Sequence, residues 1–166
     1  MRLLSSGLVI AGLLAGQAQA ECIRPADTTA FEVTGLKTRL MVTALTCDAN
    51  SKYNDFVTRY RPELTSEDRA LNTYFSRVHG RASAKQRDDY VTQLANSESQ
   101  TGLKQGSLFC NTNLPIFDEV MALRGGAELA NYAGAKSVGQ PIATGGCNAE
   151  PAPARATTTT TPRRRR

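Results

Sequence analysis

Val33-Thr34-Gly35-Leu36-Lys37-Thr38-Arg39-Leu40-Met41-Val42-Thr43-Ala44-Leu45-Thr46-Cys47 sets Val33, Leu36, Leu40, Ala44 and Cys47 at steps of three and four. That spacing is one face of a helix, and Met41 and Leu45 widen the stripe. Cys47 is therefore expected to point inward near the C-terminal end of this first helix. The same period recurs downstream. Tyr53, Phe56, Val57 and Tyr60 mark a second helix after the cap-like Asp48-Ala49-Asn50-Ser51, and Pro62 is expected to end it at about Arg61. Leu71, Tyr74, Phe75 and Val78 follow Thr65-Ser66-Glu67-Asp68, a hydroxyl cap with acids in the first turn, and Gly80 takes the position just past the helix end. Ser83-Ala84-Lys85-Gln86 has the form of a capping box ahead of Tyr90, Val91, Leu94 and Ala95.

Further on, Gly102 and Gly106 are expected to loosen the chain, with Leu103, Leu108, Phe109 and Cys110 forming a shorter helical segment. Asn113-Leu114-Pro115 then opens another helix, since a proline in the first turn loses no hydrogen bond. Phe117, Val120 and Met121 face inward along it, with Asp118 and Glu119 early and Arg124 late, as the helix dipole favours. Gly125-Gly126 closes it, and residues 127–132 add a turn or two. No stretch alternates with period two for long enough to make a strand. The expectation is an all-α domain over residues 21–140, a compact bundle of four to six short helices. Residues 21–30, with Pro25 and no periodicity, are expected to be an extended lead-in. Residues 141–166 end in a threonine run, Pro162 and four arginines, a composition expected to stay disordered.

The N-terminal 20 residues have the three parts of an export signal. Met1-Arg2 is a positive start, Leu3 to Gly16 is apolar or small, and Ala18-Gln19-Ala20 is a small-x-small cleavage site before Glu21. The apolar stretch is shorter than the roughly 20 residues a span needs, and no second long apolar run follows, so no transmembrane segment is expected. A lipid anchor on Cys22 is disfavoured because Glu21, not a small residue, precedes it. These features predict a periplasmic or secreted protein.

The four cysteines, Cys22, Cys47, Cys110 and Cys147, all follow the signal, and an even count in an exported chain predicts two disulfides. Zinc sites use close cysteine pairs, and none of these lies near another in sequence, so no metal and no cofactor is expected. Cys47 and Cys110 both sit in apolar surroundings, whereas Cys22 and Cys147 sit in irregular segments at the two ends of the ordered chain. The expected pairing is Cys47–Cys110 inside and Cys22–Cys147 clamping the ends.

The formal charge of +5 is not spread evenly. Residues 21–150 hold 14 basic side chains and all 15 acids; the last 16 residues hold Arg155, Arg163, Arg164, Arg165 and Arg166 and no acid. The arginines form a candidate arm for an anionic surface, each worth on the order of 1 kcal/mol beside an anionic membrane. Nucleic acid is an unfavoured partner, because an exported protein meets little of it. A second basic stretch lies over residues 52–87, from Lys52 to Arg87, and is a candidate face for an anionic lipid, glycan or protein.

The stretch from Tyr53-Asn54-Asp55-Phe56-Val57 through Leu108-Phe109-Cys110 to Phe117-Asp118-Glu119-Val120 resembles a group of small exported alpha-helical bacterial proteins of unknown function. The resemblance covers about residues 31–124 and implies an exported, helical, cysteine-stapled protein, with no activity attached.

Catalytic constellations are sparse. His79 is the single histidine, placed where a helix end would favour its charge, with no recognisable partner for base catalysis. Asp88-Asp89 are adjacent on a helix and point about 100° apart, so they do not converge by themselves. Asp48-Ala49-Asn50 begins like a calcium loop, but Tyr53 and Arg59 stand where glycine and glutamate are required. The sequence therefore predicts a non-enzymatic binding or interaction module of the bacterial cell envelope, attached electrostatically through the arginine tail to an envelope partner or anionic surface. The alternative is a small exported hydrolase drawing on Glu63, Glu67, Asp88, Asp89 and Glu119, which requires two of these carboxylates to meet in space.

Overall fold

A computed structural model describes residues 23–142. Its six α-helices are α1 (Pro25–Thr46), α2 (Asn50–Arg59), α3 (Arg61–His79), α4 (Ser83–Gln105), α5 (Ser107–Ala122) and α6 (Gly126–Lys136), with a 3-10 turn at Gly80–Ala82. The chain is all-helical over these residues, as expected. The helices are not all short: α1, α3 and α4 run 22, 19 and 23 residues.

α1 is the hub and packs against each of the other five helices. Phe31 meets Tyr90 and Arg39 meets Glu98, so α1 and α4 run parallel. Asp27 meets Arg77 and Phe31 meets Tyr74, so α1 and α3 run antiparallel. Around this hub the apolar side chains form two clusters. The first is largely aliphatic: Leu36, Leu40 and Ala44 of α1 pack with Phe56 and Tyr60 of α2, Leu64 of α3, and residues of α5 and α6 such as Phe117, Val120 and Leu129. The second is aromatic: Phe31 of α1 stands against Tyr74, Phe75 and Tyr90 at centroid distances of 4.8, 6.2 and 5.3 Å, with Leu71 and Leu94 beside them.

Of the two expected disulfides, Cys47–Cys110 is formed, with Cα atoms 5.6 Å apart. It joins the end of α1 to the first turns of α5. Both cysteines are half-buried at the edge of the aliphatic cluster rather than deep within it. Cys22 and Cys147 lie outside the described residues, as do Arg155, Arg163, Arg164, Arg165, Arg166 and the export signal.

Several helix boundaries differ from the expected ones, each for an identifiable reason. The supposed lead-in is helical from Pro25, because Ala30, Phe31 and Asp27 are all buried there and draw the backbone into the bundle. α2 ends at Arg59, close to the expected Arg61, but Pro62 lies in the first turn of α3, where its missing N–H costs nothing. Thr65 is consequently interior to α3, and its hydroxyl donates back to the Arg61 carbonyl at 2.7 Å instead of capping. Ser83 begins α4, but no side-chain cap bond forms there. α4 continues unbroken through Gly102, where the Phe109 ring packs at 3.6 Å from the place a Cβ would occupy. The break comes at Gly106, whose φ of +56° suits glycine.

α5 runs straight through Pro115, which is exposed. The lost backbone bond is offset by the buried face of Phe109, Ile116, Phe117 and Val120, and by Asn113, whose Nδ2 donates to the Phe109 carbonyl at 2.8 Å. Because α5 begins at Ser107, Asp118 and Glu119 fall near its C-terminal end, the unfavourable end for acids. Lysines from other helices hold them: Lys52 to Asp118 at 2.6 Å and Lys136 to Glu119 at 2.7 Å. α6 extends to three turns. Beyond it the chain loses helical form at Ser137, yet Val138 is buried and Ile142 packs on the aromatic cluster, so order reaches past residue 140. Leu45, expected to widen the buried stripe of α1, is 70% exposed, and Leu103 and Leu108 are 84% and 66% exposed.

Candidate functional site

The three hub helices leave a cleft where the aliphatic and aromatic clusters meet. α1 contributes Thr34, Lys37, Thr38 and Met41, spaced to fall on one helix face. α3 contributes Leu64, Asp68 and Leu71, and α4 contributes Arg87 and Val91. Tyr53 of α2 completes this inner compartment of about 120 Å³. An outer compartment of about 280 Å³ shares Lys37, Leu64 and Asp68 with it and adds Val57, Arg61 and Thr65.

The charge in the cleft is unbalanced. Three cations, Lys37, Arg61 and Arg87, face one acid, Asp68. Arg87 Nη2 donates to Asp68 Oδ1, and its Nη1 lies 3.6 Å from Asp88. Its Nε is buried with no hydrogen-bond partner among the described residues. Lys37 and Arg61 make no ion pair among the described residues, so two positive charges are left over an apolar floor. Burial pushes the Tyr53 phenol above its ordinary value.

The basic stretch over residues 52–87 does not form one surface. Arg61 and Arg87 reach the cleft, but Lys52 pairs with Asp118, Arg77 with Asp27 and Lys85 with Asp89. Arg59 donates to the Leu123 carbonyl at 2.7 Å. Lys37 lies outside that stretch and was not singled out by the sequence; its spacing from Thr34 and Met41 was the available signal.

A second cavity, of about 240 Å³, lies between α3 and α4 and is lined by Tyr74, Phe75, His79, Asp89 and Tyr90, with Ile142 over it. His79 stacks on Phe75 at 5.6 Å and 22° between planes. The Tyr90 hydroxyl donates to Gln140 at 2.7 Å, and burial holds the phenol far above its ordinary range. Asp89, the carboxylate of this cavity, is held by Lys85.

Of the five carboxylates considered for hydrolysis, Glu63 and Glu67 stand one turn apart on α3, Asp88 and Asp89 are adjacent on α4, and Glu119 lies on α5. Glu63 rests against Gly126 of α6, and one of its oxygens is buried without a partner among the described residues. Glu67 is half-buried on α3, and burial raises its pKa. Asp88 and Asp89 engage Arg87 and Lys85 respectively. Glu119 is held by Lys136 and by the Tyr132 hydroxyl, and those hydrogen bonds, Lys136 foremost, hold its carboxyl below the ordinary value. The cavities described each contain a single carboxylate: Asp68 in the cleft and Asp89 between α3 and α4. Among the described residues no cluster of three or more His, Cys, Asp or Glu side chains is placed to hold a metal ion, and no helix is long and apolar enough to cross a membrane.

No protein family matches the chain, and no match is found among curated proteins or among solved structures.

Proposed function

We propose that this protein is a non-enzymatic binding module of the bacterial cell envelope, and that the cleft between α1, α3 and α4 is where it engages an anionic partner. The observation that supports this reading is the pair of cations Lys37 and Arg61, which make no ion pair among the described residues and are set beside apolar side chains of the cleft. Cations left without acids lower the affinity of nothing but other cations, and a low-dielectric floor strengthens their pull on an anion. The envelope location follows from the signal-like residues 1–20, and the arginines at 155 and 163–166 add a second, screened attraction to the same kind of surface. The hydrolase alternative draws little support from the cavities described, each of which is lined by a single carboxylate, Asp68 or Asp89.

The test is retention of the mature, oxidised protein on envelope fractions at low salt. Replacing both Lys37 and Arg61 by Ala removes two charges, each worth on the order of 1 kcal/mol at an anionic surface, so retention should fall roughly thirtyfold. Deletion of residues 151–166 should weaken retention separately. Full retention by the Lys37→Ala/Arg61→Ala variant would sink the assignment of the cleft.

A further inference from the structure

The large apolar side chains left exposed among the described residues, Leu45, Leu103 and Leu108, belong to one end of the bundle. α1 and α4 run parallel, with Phe31 against Tyr90 and Arg39 against Glu98, a constant offset of 59 residues. Carried on to the helix ends, that register sets Leu45 level with Lys104, the neighbour of Leu103. α5 starts at the same end. Cys110 is bonded to Cys47 at the close of α1, and the Phe109 ring packs 3.6 Å from the place a Cβ would occupy on Gly102. Leu103 and Leu108 are the chain neighbours of that Gly102–Phe109 contact, on either side of the turn at Gly106. Single exposed leucines scattered over a surface are ordinary; a set gathered at one end is not. This end is also nearly bare of charge. From Ser99 to Phe117 the only charged side chain is Lys104, and across the disulfide Asp48 follows Cys47.

We propose that the α4–α5 corner docks on a lipid bilayer, with Leu103 and Leu108 dipping into its interface. The area available argues against a protein partner: three whole leucines offer far less than the roughly 800 Å² that each side of a stable complex buries. The shape argues the same way. A corner made of a helix end, a tight turn and a helix start is convex, and lipid yields around it where a protein would need a matching groove. The charge fits too. A surface with so few charges enters the interface without stripping water from many of them, and the Lys104 stem lets its ammonium stay among the headgroups. Two leucines alone hold weakly, and stable attachment takes a second signal, which the arginines at 155 and 163–166 supply. The 20 residues from 143 to 162 span up to roughly 70 Å fully extended, about twice the length of the 23-residue α4, so the four terminal arginines can reach the same plane. Lys37 and Arg61 play no part, so this docking stands apart from the reading of the cleft.

The chain has no tryptophan, so one placed at the corner reports on that position alone. Leu103→Trp and Leu108→Trp, each in the full mature protein, are mixed with vesicles of equal parts phosphatidylglycerol and phosphatidylethanolamine. Thr92→Trp, exposed on α4 about 16 Å away along the axis, is the control. Emission from both corner positions should move to shorter wavelength and be quenched by lipids brominated along the acyl chain, and emission from the control should do neither. In the chain without tryptophan, Leu103→Ser/Leu108→Ser should weaken vesicle binding at least tenfold in high salt, where the arginines are screened. Removal of residues 151–166 should weaken binding in low salt and leave binding in high salt unchanged. The thermal transition of each variant checks that the fold is kept. Corner reporters that behave like the control, or full high-salt binding by the double serine variant, would overturn the proposal. A dimer in sedimentation that the serine variant abolishes would assign the corner to a second copy and also overturn it. Lys37→Ala/Arg61→Ala should leave the shift of the corner reporters intact; its loss would make insertion depend on the cleft, against the proposal. Failure at the corner leaves the cleft reading standing.

Discussion

The aliphatic and aromatic halves of this bundle are held together by different means. In the aliphatic half, Cys47–Cys110 ties α1 to α5 covalently, and the buried Tyr60 hydroxyl donates to the Val120 carbonyl at 2.7 Å, tying α2 to the same helix. In the aromatic half no covalent tie is found among the described residues. Phe31 instead touches Tyr74, Phe75 and Tyr90 at once, and the Asp27–Arg77 and Tyr90–Gln140 contacts ring that group. α1 and α3 belong to both halves: Leu64 packs in one and Leu71 in the other. The cleft opens along that boundary. Its lining takes Leu64 and Tyr53 from the first cluster and Leu71 and Val91 from the second.

The comparison implies that each half should have its own weak point. Phe31 is fully buried, and nothing covalent compensates for its removal. Phe31→Ala should cost about 3–5 kcal/mol, read as the shift in denaturant midpoint, with amide protection lost first in α3 and α4. Equal loss of protection in α2 and α5 would mean the two clusters unfold as one. Removal of the bridge by Cys47→Ala with Cys110→Ala should act on the other side. The cysteines are 63 residues apart in sequence, and a loop of that size is worth about 4 kcal/mol by chain entropy, with measured values commonly about 2–4. Protection should then fall first at the end of α1 and in α2 and α5. An unchanged midpoint, or loss beginning around Phe31, would break the division of labour.

Much of the aromatic half was legible in the sequence, because Leu71, Tyr74, Phe75, Tyr90 and Leu94 fall at helical spacing and bury the face that spacing describes. Its centre was not. Phe31 follows Pro25 and a run of small polar residues, and nothing local says that three other rings converge on it. The prolines misled for a related reason. Pro62 can close a helix or open one, and Pro115 can open one or sit exposed inside one; the choice is made by what the neighbouring residues bury, which is tertiary information. Glu98 shows the same limit for charge. It is a carboxylate on a long polar helix, yet it is 4% exposed because Arg39 of α1 meets it at 2.9 Å. The Cys47–Cys110 pairing was legible from the apolar register of the two residues. The cleft was half legible: Arg61 and Arg87 stood in a recognisably basic stretch, but their grouping with Lys37 depends on the antiparallel packing of α1 on α3.

The smallest expected effects concern two glutamates whose environments push in opposite directions, one in each kind of setting. Glu119 helps join α6 to α5 in the aliphatic half, and the hydrogen bonds from Lys136 and Tyr132 lower its pKa from 4.5. A lowered folded value means the carboxylate contributes stability above the unfolded pKa and loses it as pH falls through the folded one. Glu67 has its pKa raised from 4.5 by burial, so the folded state disfavours its charged form. That contribution is present below pH 4.5 and is lost as pH rises through the raised value. At pH 7, Glu119→Gln should therefore lower the melting temperature and Glu67→Gln should raise it. Both side chains keep much of their contact with water, so each change should stay within about 0.5 kcal/mol. On acidification the Glu67→Gln difference should vanish at about pH 4.5, while the Glu119→Gln difference should persist below that pH before it disappears. Melting curves of the three proteins between neutral and acid pH read both signs at once. Variants that shift together, or a Glu119→Gln difference gone already above pH 4.5, would show that the Lys136 contact does not hold α6 in solution.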